Sequence, residues 1–357
     1  MALSDFWRGR SVFITGHTGF MGGWLSSVLL ARGAQVHGYA LAPPEGPSFY
    51  VATGLAKRLT SSTIGDIRDE ASLRAALRSA RPEVVFHLAA QPLVRVAHHT
   101  PMETFSVNVM GTARILEELR GIESVRAALI VTTDKVYLND GRATPYLESD
   151  RLGGREPYSA SKACCELVVE AWRHSYLRKC RIGVATIRAG NIFGGGDWAA
   201  DRLVPDAIRN FSAGKPLILR RPQATRPWQH VMEPVSGYLL LAERTIRDPE
   251  AFSTAWNFGP PPKDCRPVGE MAELLAAAWG HGARVKAEPE HSIFEEALLS
   301  LDSTYAETAL GWHPRWMLDT AIQKTTEWYR AHEAGRDMWE LTQQQIEQFE
   351  MAAGMTP

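Results

Sequence analysis

The chain has little cysteine, no long apolar run and no excess of charge of either sign. Its four cysteines, Cys164, Cys165, Cys180 and Cys265, fit neither metal-ligand spacing nor a disulfide framework. A reduced, cytoplasmic protein with structural cysteines is the expectation. No apolar stretch approaches the roughly 20 residues that cross a bilayer, and the opening "MALSDFWRGR" lacks the charged-then-apolar pattern of a secretion signal. The net charge is −1, which gives no electrostatic ground for a nucleic-acid or acidic-membrane partner. Internal repeats and low-complexity tracts are missing, and the Pro-rich "FGPPPKDCRP" at 258–267 reads as an ordered loop. At 357 residues the chain exceeds one average core, so two domains or one enlarged domain are expected.

What is present is a repeated alternation. "SVFIT" (11–15), "AQVHGY" (34–39), "EVVFHLA" (83–89), "ALIVTT" (128–133) and "IGVATIR" (182–188) are short, nearly continuous apolar runs rich in β-branched residues. Such runs suit parallel strands covered on both faces. Between them, "GWLSSVLLARG" (23–33) and "ASLRAALRSA" (71–80) carry apolar residues at helical spacing. This alternation predicts an α/β fold with a doubly wound parallel sheet. Beyond residue 188 it loosens into loops rich in Gly, Pro, Trp and Arg, followed by helices such as 268–280. The expected division is a nucleotide-binding domain at 1–188, with a return to its sheet around 228–260. A smaller C-terminal α/β domain of 189–227 and 261–357 would then close over the sheet's carboxyl edge, where ligands bind in such folds.

"TGHTGFMGGW" follows the first strand and opens the first helix. Gly16, Gly19 and Gly22 permit a tight turn, close approach of backbone N–H groups to a pyrophosphate, and tight helix–strand packing. The second strand ends in "GYALAPP", with neither a carboxylate for a ribose 2′-hydroxyl nor an Arg for a 2′-phosphate. The lack of basic residues favours NAD, and Asp66, after the third strand, is a candidate to reach the adenine. "YSASK" sets Tyr158 and Lys162 four residues apart, on one face of a helix expected from Tyr158 to about Tyr176. An ammonium near a phenol lowers its pKa from about 10, which suits removal of a hydroxyl proton. "TTDKVY" (132–137) places Thr133, Asp134 and Lys135 at the end of the fifth strand, an acid beside an ammonium group. His87, His98 and His99 have no Cys, Asp or Glu at ligand spacing, so no metal is expected. Cys165, Val168, Val169 and Trp172 suit packing or a subunit interface, and Trp198 suits either the core or a nucleotide base.

Taken together, "GHTGFMGGWL", "HLAAQPLVR" (87–95), "NVMGT" (108–112), "LGGREPYSASK" (152–162), "RAGNIFGGGDWAADRLVPD" (188–206) and "ATRPWQHVMEPVSGYL" (224–239) extend over nearly the whole chain. They resemble extended short-chain dehydrogenases/reductases of the nucleotide-sugar branch, and within it the CDP-glucose 4,6-dehydratases. The resemblance implies a Rossmann-type domain and a lyase reaction. CDP-D-glucose would become CDP-4-dehydro-6-deoxy-D-glucose by NAD-dependent oxidation at C4, loss of water across C5 and C6, and reduction at C6, in deoxysugar and surface-polysaccharide synthesis. Cofactor contacts are then expected at Gly16, Thr18, Gly19, Phe20, Met21, Gly22, Asp66, Ile67, Leu88, Ala89, Ala90 and Asn108, with Tyr158 and Lys162.

By the same resemblance Thr133 and Tyr158 hold the 4-hydroxyl and Asp134 protonates the departing 6-hydroxyl. Relatives that act on dTDP-glucose carry Glu where Lys135 stands. Lys135 is therefore either the C5 base, in a site dry enough to depress its pKa, or a charged stabiliser of the enolate oxygen. Asn191, Arg202, Arg220 and Arg226 are the candidates for the nucleotide diphosphate, arginine matching phosphate through its planar fork. A homodimer through the Tyr158-bearing helix and its neighbour is implied as well. The fold alone also admits a nucleotide-sugar 4-epimerase, a dehydratase acting on GDP- or dTDP-linked sugars, and a cofactor-binding protein without turnover.

Overall fold

Seven parallel strands form the centre of the computed structural model, which describes residues 5–288 and 299–352. They are β1 (Ser11–Thr15), β2 (Gln35–Ala40), β3 (Ser61–Ile64), β4 (Val84–His87), β5 (Ala127–Val131), β6 (Gly183–Arg188) and β7 (Ala255–Asn257). Their order across the sheet is 3-2-1-4-5-6-7, with every neighbouring pair parallel. Successive side chains of a strand point to opposite faces. Val12 and Ile14 accordingly enter one buried cluster and Phe13 the other, and β4 and β5 divide in the same way. Both faces being covered explains why these strands read as unbroken apolar runs.

The helices that frame the site are α1 (Phe20–Ala31), α2 (Glu70–Ala80), α3 (Gly111–Leu119) and α4 (Pro157–Trp172). Asp69 caps α2, its carboxylate accepting from Ser72 N at 3.0 Å. Two segments beside these helices depart from regular α geometry. A π-turn at Ser106–Met110 leads into α3, and a second at Arg173–Leu177 ends α4 four residues before the expected limit at Tyr176. Hydrophobic spacing does not report such turns, because a segment of five residues holds too few apolar positions to set a period.

After β6 the chain builds short ladders: Ile192–Phe193 beside Gln229–His230, Thr225–Pro227 against Cys265–Pro267, and Leu217–Leu219 beside Val285–Ala287. The helices of this part are α5 (Leu203–Ser212), α6 (Met232–Arg247), α7 (Val268–Trp279), α8 (Leu318–Glu333) and α9 (Met338–Ala352). They share one core with the sheet: Trp24 of α1 donates its indole N–H to Gly195 O at 2.9 Å, and Phe49 stacks on Trp328 of α8 at 5.9 Å. Trp198 packs edge-on against Trp328 and Tyr329 and beside His332, within this aromatic layer. Among the described residues, no helix is long and apolar enough to cross a membrane.

Candidate active site

The sheet order reverses between β1 and β4, the place where a crevice opens at the carboxyl edge of a doubly wound sheet. Gly16 sits in that crevice with φ +81°, and a side chain there would press on Ala89 N at 2.9 Å. A side chain at Gly22 would collide with the backbone of Gly16 and His17. Gly19 is the N-cap of α1 and supplies no side chain to its first turn, whose N–H groups are thus left for another acceptor. A loop of this shape fits a pyrophosphate, and therefore a dinucleotide cofactor.

The remaining expected cofactor residues surround this loop. Thr18 donates to Leu41 O at 2.9 Å, Phe20 reaches toward Gly194, and Met21 Sδ accepts from Tyr238 O–H at 3.6 Å. Leu88, Ala89 and Ala90 follow β4, the first two donating their N–H to Thr15 Oγ1 at 3.1 Å each. Ile67 is buried against Gly111. Asp66 differs from a simple adenine contact: its carboxylate already receives Arg68 Nε and Arg68 N, and this guanidinium holds it below its ordinary pKa. Asn108 lies in the π-turn, donating to Ser161 Oγ of α4 at 2.9 Å and accepting from Gln91 N at 2.8 Å. A π-turn at such a junction is a frequent mark of a functional site.

The candidate acid–base residues Thr133, Asp134 and Lys135 lie just past the end of β5. Thr133 Oγ1 donates to Asp134 Oδ1 at 2.9 Å and is hydrogen-bonded to the Tyr158 phenol. Asp134, 2% exposed, donates its backbone N–H to Ala189 O at 3.2 Å and lays its carboxylate on Gly190, where any side chain would collide with it. Lys135, half-buried, donates its backbone N–H to Thr133 Oγ1 at 3.4 Å.

Tyr158 stands in the first turn of α4, which is fixed by a capping box. The Glu156 carboxylate accepts from Tyr158 N at 2.7 Å and Ser159 N at 2.6 Å. Burial pushes the phenol's pKa up to about 12, with the nearby Asp134 adding to the rise and Thr133 and Arg202 working against it. Lys162, also buried, donates to Val131 O at 3.0 Å, and desolvation lowers its pKa. The expected lowering of the phenol's pKa is therefore outweighed here by desolvation, and the ammonium is engaged with the strand.

Of the substrate candidates, Asn191 adopts a left-handed backbone at φ +47° and Arg202 pairs with the buried Asp197 at 3.0 Å. Arg226, half-buried, lies opposite Arg266 in the ladder that joins Thr225–Pro227 to Cys265–Pro267. Arg220 is exposed. His87 is buried between Thr15 Oγ1 at 2.7 Å and Thr112 Oγ1 at 3.3 Å, and burial lowers its pKa to about 3, leaving a neutral imidazole between hydroxyls. His98 and His99 end a short surface helix, Val94–His99. Among the described residues, no three His, Cys, Asp or Glu side chains converge as a metal site.

Sequence reasoning missed a set of buried polar residues behind the turn. Glu166 and Arg188 form a two-pronged ion pair with both N···O distances at 3.0 Å, and each side chain is 4% exposed. Thr132, Thr186, Tyr137 and Asn257 complete it. One signal was available: Glu166 falls one helical turn beyond Lys162 in a segment otherwise apolar at helical spacing.

Comparison with known proteins shows what the whole chain is similar to. A family model described as GDP-mannose 4,6 dehydratase matches residues 13–325. The CDP-glucose 4,6-dehydratase of Salmonella typhimurium is 42% identical over 354 residues, 98% of each chain. An epimerase from Methanothermobacter thermautotrophicus superposes with a TM-score of 0.79 at 22% identity, over 95% of this chain and 96% of its own. A dTDP-glucose 4,6-dehydratase from Streptomyces venezuelae, solved with NAD bound, gives a TM-score of 0.76 at 24% identity, over 92% and 99%.

Proposed function

The chain belongs to the GDP-mannose 4,6-dehydratase family, and we propose that it dehydrates CDP-D-glucose to CDP-4-dehydro-6-deoxy-D-glucose. The observation that carries this reading is the 42% identity to a CDP-glucose 4,6-dehydratase, over 98% of both chains. The cofactor is NAD, and when bound it would supply the two-electron redox chemistry that oxidation at C4 and reduction at C6 require. The Gly16–Gly22 loop and the first turn of α1 would hold its pyrophosphate.

The chain's own groups manage the protons. Thr133 and Tyr158 hold the 4-hydroxyl, and Tyr158 accepts its proton. A phenol near pKa 12, with Arg202 already working against the rise, keeps its proton at neutral pH, so it acts as base only when further positive charge is added beside it, as a bound NAD⁺ would add. The 4-ketone then acidifies C5–H. Asp134 protonates the departing 6-hydroxyl, while Lys135 takes the C5 proton or, if it stays charged, stabilises the enolate oxygen. Asn191, Arg202 and Arg226 receive the nucleotide diphosphate. Met102 at 81%, Met110 at 50% and Leu167 at 62% exposure lie on the α4 helix and the adjoining 101–119 helix. They support a homodimer through those helices. The pathway assigned is deoxysugar synthesis in the cytoplasm.

The test is an NMR product assay with purified protein and NAD, offering CDP-, dTDP-, GDP- and UDP-glucose in parallel. The expected result is a new C6 methyl signal from CDP-glucose without net accumulation of reduced cofactor. A galactose-type product without a methyl group would establish an epimerase instead. A methyl signal from another nucleotide alone would move the substrate assignment to that nucleotide.

A further inference from the structure

We propose that the buried Glu166–Arg188 pair positions the reaction's acid against its base, clamping the Thr133–Asp134–Lys135 turn at both ends and tying it to the helix that carries Tyr158 and Lys162. The proposal rests on the dehydratase reading above, since it concerns how that site is held.

The geometry is specific. Before the turn, Thr132 Oγ1 donates to Glu166 Oε1 at 2.6 Å. After it, Tyr137 O–H accepts from Arg188 Nη1 at 2.8 Å and donates to Asn257 Oδ1 at 2.7 Å. The residues between these two anchors are 133–136, the whole of the short helical turn that presents Asp134 and Lys135. The residue after Arg188, Ala189, accepts from Asp134 N, which adds a third tie from the same strand. Glu166 stands one turn beyond Lys162 on α4, so the ion pair joins this turn to the helix of the base.

Every side-chain nitrogen and oxygen of the ion pair has a hydrogen-bond partner. Glu166 Oε1 receives Thr132 and Arg188 Nε, and Oε2 receives Thr186 at 2.6 Å and Arg188 Nη2. Arg188 Nη1 also donates to Glu148 O at 2.9 Å. Burial raises the Glu166 pKa, but Arg188 and the two hydroxyls outweigh it, so the carboxyl stays ionised. A buried pair is often no more stabilising than an apolar pair of similar volume. Directional fixation of groups is something an apolar pair cannot supply.

That difference gives the test. Thermal stability, kcat and KM for CDP-glucose are measured on wild type, Thr132→Val, Thr132→Ser, Tyr137→Phe, Glu166→Met and Glu166→Met/Arg188→Met. Thr132→Val should lower kcat roughly 10- to 100-fold with KM within about twofold, as for a small misplacement of reacting groups. Thr132→Ser, which keeps the hydroxyl, should restore most of the rate. The apolar double variant should regain the stability that Glu166→Met loses while kcat stays low. A double variant with wild-type kcat overturns the proposal, as do Thr132→Val and Tyr137→Phe variants that both turn over normally. If the double variant does not fold, Thr132→Val against Thr132→Ser decides alone. A wild type inactive on CDP-glucose sinks the substrate reading instead, and the same kcat comparison is then made on the nucleotide sugar it does convert.

Discussion

Glu166 and Glu233 are both buried, at 5% and 1% exposure, yet the protein treats them in opposite ways. Glu166 faces a guanidinium and two hydroxyls and is held below the ordinary carboxylate range. Glu233, in the first turn of α6, accepts backbone N–H groups from Trp316 at 2.7 Å and Arg315 at 3.0 Å, and burial outweighs these and the Arg315 charge and pushes it up to about 7. Its neighbourhood is aromatic: His230, driven down to about 3 by burial, packs against Trp24, Phe193 and Trp316. Equal burial therefore says little about role. What separates the two regions is whether the surroundings stabilise the charged form. Charge is maintained in the Glu166–Arg188 pair behind the Thr133–Lys135 turn and suppressed at Glu233, in the layer that packs the C-terminal helices onto the sheet.

If that contrast is right, changes near Glu166 should act on turnover and changes near Glu233 on stability. The largest expected effect is Tyr158→Phe, which removes the proposed C4-hydroxyl base and should cut kcat by roughly 10²- to 10⁴-fold. Circular-dichroism melting should stay close to wild type, because the ring and its packing remain. A variant within tenfold of wild-type kcat would remove Tyr158 from the chemistry.

Next in size is Lys135→Ala. Oxidation at C4 should persist, visible as reduced cofactor in a single turnover, while formation of the C6 methyl falls by roughly 10²- to 10³-fold. Methyl formation at an unchanged rate would end both roles proposed for Lys135, base and enolate stabiliser alike. Loss of C4 oxidation together with elimination would place the lysine in the first step.

The same contrast explains how far the sequence could be read. Strands such as Ser11–Thr15 and Gly183–Arg188 were legible because burial on both faces leaves an unbroken apolar run. The glycine loop was legible because the turn at Gly16 and the close approach at Gly22 exclude side chains. Tyr158 and Lys162 showed through helical spacing. The Glu166 cluster was not legible, because its members come from α4, the residue after β5, β6, β7 and the loop at 137–148, and only the closed sheet brings them together. The engagement of Lys162 with Val131 O and the raised pKa of Tyr158 were hidden for a related reason. Sequence spacing shows which side chains share a face, and desolvation depends on everything packed over that face.

The smallest effect tests the other half of the contrast and depends on sign. Glu233 has a folded-state pKa near 7 against an ordinary 4.5. Between those values the folded state holds a proton that the unfolded state has released. Stability should therefore fall as pH rises through this window. Glu166, with a lowered folded-state pKa, works the other way, contributing stability above the ordinary carboxylate range and losing it on acidification. The neutral buried histidines His17, near 4, and His87 and His230, near 3, also work against Glu233. Their unfolded forms take up protons first, so stability rises with pH up to about 6.5. The wild-type curve alone mixes these contributions, and the informative quantity is the difference between wild type and Glu233→Gln in urea titrations from pH 5 to 8. That difference should turn against wild type with rising pH by on the order of 2 kcal/mol, with kcat unchanged at every pH where both are folded. Parallel curves would mean that Glu233 stays ionised like Glu166, and the distinction between the two regions would lose its electrostatic basis.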